Sequence, residues 1–120
     1  MSTVYRQVQG AAPVPINNNP TVVVQLRVPD KNSFIIFGRV VFTNQDQHPQ
    51  PLTATLTTFN GGTVLDKVNI AVDAGKAVCV SLQAILNLNE NDQNDIVDIR
   101  CASLQGQAEF GALTALSIDS

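Results

Sequence analysis

One hundred and twenty residues are enough for one domain with one core, and too few for a second catalytic unit. Hydrophobic residues make up 44% of the chain and charged residues only 14%, so the chain is globular, with a surface that 11 Asn, 10 Gln and 9 Thr must largely cover. The net charge is −3 and the seven basic residues stand singly along the chain, which argues against nucleic acid as a partner.

The predominant period is two. Residues 3–9 read as a short strand, and 9–20, with Pro13, Pro15 and Pro20, as an irregular arm. Residues 1–20 are therefore expected to form a strand plus arm, and 21–120 a single β-sandwich domain. Val22, Val24, Leu26 and Val28 alternate with Val23, Gln25 and Arg27, and Pro29-Asp30-Lys31-Asn32 turns the chain. Over 33–43 one face carries Phe34, Ile36, Val40 and Phe42, and the other carries Ile35, Phe37 and Val41, broken by Gly38. Apolar residues on both faces predict a central strand buried on both sides. After a polar loop at 44–51, a strand over 52–59 leads into Asn60-Gly61-Gly62, a strong hairpin signal, and a return strand over 63–72 with Val64, Val68, Ile70 and Val72 inward.

Residues 77–88 place Val78, Val80, Leu82, Ala84 and Leu86 on one face, although 81–86 could also close as a helical turn. Asn89 to Asn94 is a polar loop, 95–104 a strand with Val97, Ile99 and Cys101 on one side, and 108–118 a last strand carrying Phe110, Ala112, Leu116 and Ile118. No segment sustains a helical period. The reading is an all-β, antiparallel β-sandwich of about eight strands. No run behind the N-terminus has the form of a signal peptide, and none reaches the ~20 apolar residues of a membrane span. The default expectation is cytoplasmic, with release or surface display without a signal peptide left open.

The side chains that carry chemistry form no catalytic set. His48 is the single histidine, in a Gln/Pro loop, and no nucleophile signature such as Gly-x-Ser-x-Gly accompanies it. Neither catalysis nor a cofactor is expected. Cys79 and Cys101 with one histidine make no zinc set. They are either two small buried side chains or a disulfide closing about 22 residues. If 77–88 and 95–104 pair as a hairpin, the thiols fall about three residues out of register, beyond disulfide reach. The acidic loop over 89–95 is rich in oxygen ligands but lacks calcium-loop spacing. A solvated loop is its simpler account, and no metal is expected. The candidate ligand contacts are Asn60, Asp92, Asn94 and Asp95, in polar loops suited to the hydroxyls of a neutral glycan. Asp66, Asp73, Asn69 and Asp98 are weaker candidates for such a site.

The residues 33–40 (Ser-Phe-Ile-Ile-Phe-Gly-Arg-Val), Asn44, His48-Pro49-Gln50-Pro51, Val80-Ser81-Leu82-Gln83 and the ending Leu113-Thr114-Ala115-Leu116-Ser117-Ile118-Asp119 resemble small bacterial jelly-roll proteins. The order of central strand, long crossing loop and apolar final strand is similar to the tumour-necrosis-factor-like superfamily, which includes complement-type globular heads and bacterial trimeric lectin or spore-surface domains. The resemblance covers about four-fifths of the chain. It implies a jelly roll and a compact homotrimer that binds a ligand at subunit interfaces or displays loops. With the two-sided apolarity of 34–42 and 108–118, it leads us to expect a non-enzymatic, self-associating module with Phe34, Ile36, Phe37, Phe110 and Leu113 at the interface. The alternative is a lectin-like module for a neutral glycan or protein ligand.

Overall fold

In the computed structural model the chain is all β. The structure describes residues 4–8 (through their backbone pairing), 13–28, 33–59, 61–87 and 96–118. Nine strands fall among them: β1 (Val4–Val8), β2 (Val14–Ile16), β3 (Thr21–Arg27), β4 (Ser33–Asn44), β5 (Gln50–Thr58), β6 (Thr63–Val72), β7 (Ala77–Asn87), β8 (Ile96–Ala102) and β9 (Gly106–Ile118).

They build two antiparallel sheets. One has five strands in the order β1-β9-β4-β7, with β2 pairing a separate stretch of β9; the other has the order β3-β8-β5-β6. The sole consecutive strands that pair with each other are β5 and β6. From β2 onward every other connection changes sheet. Two facing sheets wound this way make a jelly roll.

Period-two patterning places the core. Phe34, Ile36, Val40 and Phe42 of β4 point inward with Val80, Leu82 and Leu86 of β7. They meet Leu52, Ala54 and Leu56 of β5 and Val97, Ile99 and Cys101 of β8 from the facing sheet. Each large side chain in this layer contributes about 1.5–3 kcal/mol by leaving water. At Gly38 the sheets come so close that a Cβ would lie 2.7 Å from Ile99 Cδ1. Buried Asn44 holds one end of the sandwich together. Its side-chain amide donates to the carbonyls of His48 (2.9 Å) and Val72 (3.0 Å), and its Oδ1 accepts from the Asp46 N–H (2.9 Å).

Several expectations change. The proline-bearing arm contains β2, paired with 106–108. β7 is strand throughout, with no helical turn. β7 and β8 are not a hairpin, because β7 pairs with β4 in one sheet while β8 lies between β3 and β5 in the other. Three one-residue bulges reverse inward-outward parity. In β3 the register slips at Val23, so that Val23 and Val24 are both buried and Val22 is exposed. In β6 it slips at Leu65, which turns Val64 outward; Ile70 too is partly exposed. In β9 it slips at Glu109, so Gly111, Leu113, Ala115 and Ser117 face the core while Phe110, Ala112 and Leu116 face out. An inserted residue costs one ladder pair and moves every later side chain to the other face.

Candidate functional site

The outer surface of the five-stranded sheet follows from these registers. Across β9, β4 and β7 the outward rows are Leu116–Ile35–Ile85, Thr114–Phe37–Gln83, Ala112–Arg39–Ser81 and Phe110–Val41–Cys79. The first and last rows carry no charge and no hydrogen-bonding group beyond one thiol. Phe37 and Ile85 are exposed, at 46% and 64%, and Ile118 adds to the same end. Arg39 lies over the Phe110 ring, 5.1 Å from its centroid, so the cation in the middle of this face is itself packed on an aromatic. A shallow groove of about 570 Å³ runs over Gly38, between Phe37 and Arg39 on one strand and Ser81 and Gln83 on the next, with Asp66 of β6 at its rim.

The four-stranded sheet presents a different surface. Gln25, Arg27, Thr53, Thr55, Lys67 and Asn69 face outward. Asp98 sits among them yet is 1% exposed. Arg100 reaches it through Nε (3.2 Å) and a second guanidinium nitrogen (3.1 Å), and the Thr57 hydroxyl donates to it as well. The β5–β6 turn covers this pair. Gly61, at φ 83°, lies where a Cβ would come 2.7 Å from the Arg100 guanidinium, and Phe59 takes φ 55° beside it. The carboxylate is thus fully used inside the protein, and offers nothing to a sugar. Asn69 is likewise engaged, accepting from the Thr53 hydroxyl at 2.8 Å.

The sequence-based site residues separate cleanly. Phe37 and Phe110 lie on the outer face, as expected for an interface. Phe34, Ile36 and Leu113 are fully buried in the chain's own core, which corrects their assignment as interface residues. On β4 the even positions point inward, and on β9 the bulge sends the odd ones there. Asn60, Asp92, Asn94 and Asp95 lie outside the described residues. Cys79 and Cys101 are free thiols on opposite sheets, Cys79 exposed and Cys101 buried, so the proposed disulfide is not formed. Burial pushes the Cys101 thiol up to about 12. His48 is exposed, 3.9 Å from the Asp46 carboxylate. Among the described residues no three His, Cys, Asp or Glu side chains could hold a metal ion, and no helix is long and apolar enough to cross a membrane.

Ile35, Ile85 and Leu116 complete the apolar face; Ile35 had been read on the face of Phe37 and Leu116 with Phe110, though neither was named for the interface, and Ile85 was missed. Ile85 had a readable signal: it is the one large apolar side chain on β7 that breaks the inward parity of Val78, Val80, Leu82, Ala84 and Leu86.

No protein-family model and no curated protein matches the chain. Solved structures do. A chain of the T13 infectious bursal disease virus particle superposes with a TM-score of 0.66 at 12% identity, over 95% of this chain and 31% of the viral one. The chain spans about a third of the length of the viral proteins it matches. The globular domain of zebrafish complement 1qA matches with a TM-score of 0.53 at 10% identity, over 100% of this chain and 98% of that one. A subunit of Bacillus endospore appendages, described as disulfide-linked pili, matches with a TM-score of 0.50 at 9% identity, over 100% and 92%. At these identities the likeness establishes the jelly-roll fold alone.

Proposed function

We propose that this protein is a non-enzymatic structural module that assembles with copies of itself through the outer face of its five-stranded sheet. One observation carries the reading. That face holds two uncharged rows, apolar but for one thiol, and exposes Phe37 and Ile85 side by side, while the other sheet, apart from Val22 and Val64 on its two edge strands, covers its outer face mainly with hydroxyls, amides and charges. A sandwich of this size has one core, so a second apolar face needs a second partner, and interfaces favour aromatics and arginine over other charges. Proteins of virus particles and endospore appendages share the fold, which agrees with an assembling role. A trimer is the order that the superfamily resemblance suggests. Sedimentation velocity is expected to give a homo-oligomer at micromolar concentration, and Phe37→Glu with Ile85→Glu a monomer. A wild-type monomer throughout that range would overturn the proposal.

The groove supports a second reading. Its lining combines an exposed aromatic ring, the Ser81 and Thr114 hydroxyls and the Gln83 amide, suited to a neutral glycan. Self-association would cover it, so the readings compete. Glycan binding by the wild type that Phe37→Ala abolishes would favour the glycan; a glycan array without hits would remove it.

A further inference from the structure

β7 lies at the edge of the five-stranded sheet, paired on one side with β4. Its sequence, Ala-Val-Cys-Val-Ser-Leu-Gln-Ala-Ile-Leu-Asn, has no charge, no proline and no glycine over eleven residues. A long, uncharged, regular edge strand is a template for pairing with another chain. The other described edges differ from it: β1 is five residues long and has Arg6 in its sequence, β2 is three residues long and contains Pro15, β3 is bulged at Val23, and β6 is bulged at Leu65 and carries Lys67. β7 has no such guard within its own sequence.

The guard comes from the facing sheet. Asp66 follows the β6 bulge, and its Oδ2 accepts a hydrogen bond from the Gln83 backbone N–H at 2.9 Å. Its Oδ1 accepts from the Lys67 N–H at 2.8 Å, which fixes the carboxylate's direction. Gln83 lies midway along β7, and its N–H is one that an added strand would have to pair with. A strand approaching there would meet a carboxylate already bonded to that N–H. We propose that Asp66 closes the β7 edge against strand addition by a second copy, so that self-association is confined to the outer face. The proposal deepens the assembly reading and rests on it, but each can fail separately.

The test uses the Phe37→Glu/Ile85→Glu protein, in which the outer face is blocked. Hydrogen exchange followed by NMR should find the Gln83 amide protected about tenfold or more relative to the amides at positions 81 and 85, which lie on the same open edge. Equal exchange at the three positions would overturn the proposal without any further variant, and so independently of whether Asp66→Ala folds. Adding Asp66→Ala should free Gln83 and produce concentration-dependent association by light scattering. Adding Gln83→Pro to that variant removes the N–H an incoming strand needs and should return it to monomer. A folded Asp66→Ala protein that stays monomeric, or one whose association survives Gln83→Pro, would overturn the proposal. If the blocked-face protein already associates before Asp66 is changed, and its Gln83 amide is protected, the outer-face reading fails and the edge closure stands.

Discussion

The two outer faces of this sandwich are made by the same alternation of side chains over one shared core, yet they do different work. On the four-stranded sheet the outward positions are mostly polar, Thr53, Thr55, Lys67 and Asn69 among them, with Val22 and Val64 the exposed apolar exceptions on its edge strands, and the buried carboxylate of Asp98 is matched by Arg100 and Thr57. That face is complete within one chain. On β9, β4 and β7 of the five-stranded sheet the outward positions include Ile35, Phe37, Val41, Ile85, Phe110 and Leu116, with Arg39, Ser81, Gln83 and Thr114 between the two apolar rows. That face leaves apolar surface in water until something covers it. The difference shows that low overall charge is not spread evenly. It reflects one sheet with few charged groups on its outer side and another that carries them.

This contrast breaks if a substitution on one face moves the property assigned to the other. The largest effect is expected at Asp98→Ala, which takes the paired carboxylate away from Arg100 and from the Thr57 hydroxyl. The loss should fall near the lower end of the about 3–5 kcal/mol typical of a broken buried pair, because Arg100 keeps some access to water. Chemical denaturation should register it, while the oligomeric state at native conditions stays as in the wild type. Next, Phe37→Glu with Ile85→Glu should weaken self-association by about 30-fold or more, two interface anchors at over about 1 kcal/mol each, and leave monomer stability within about 0.5 kcal/mol. Gly38→Ala tests the layer the faces share. Its methyl would enter the space of Ile99, and a cost of about 1–3 kcal/mol in denaturation midpoint is expected.

The two thiols report on the inner and outer sides. Cys79 should react with a thiol reagent in the native protein, more slowly as assembly covers it, while Cys101 should react after unfolding. Cys101 ionises near 9.0 when unfolded and near 12 when folded. The unfolded state therefore gives up its proton first. The stability this thiol contributes is whole below pH 9 and is lost as pH rises from there toward 12. Over that range the wild type should lose stability relative to Cys101→Val in denaturant titrations. Smallest of all, Lys67→Ala on the polar face should shift stability by no more than about 0.5 kcal/mol.

Most of the fold could be read from residue order, and the failures share one cause. β4 has no inserted residue on its own strand, and Phe34, Ile36, Val40 and Phe42 point inward as their spacing indicates. β3, β6 and β9 each contain one extra residue, at Val23, Leu65 and Glu109, and there simple alternation put Val22 on the face of Val24, Val64 on the inward face and Leu113 at the interface, none of which holds. A bulge leaves no mark in a run of valines and leucines, because parity is set by the partner strand. The same holds for the crossing from β7 to β8, where a polar stretch serves a hairpin or a change of sheet equally well. The site was half legible for this reason. Phe37 was found with Ile35 on its face, Leu113 was placed on the wrong face, and Ile85 became visible as the cross-strand neighbour of Ile35 once the register was known.

The position of β9 bears on the order in which the molecule can form. It is the last of the nine described strands to be synthesised, yet it lies inside the five-stranded sheet, between β1 and β4. Until it arrives, β1 and β2 have no described partner and β4 is paired on one side only. The β5–β6 hairpin is the one pairing between consecutive strands, so nearly all other structure must wait for distant segments to meet. Folding of this kind is expected in milliseconds to seconds rather than microseconds. During that interval β4, which is apolar on both faces, has an open edge, which makes nascent or refolding chains most prone to aggregate before β9 docks.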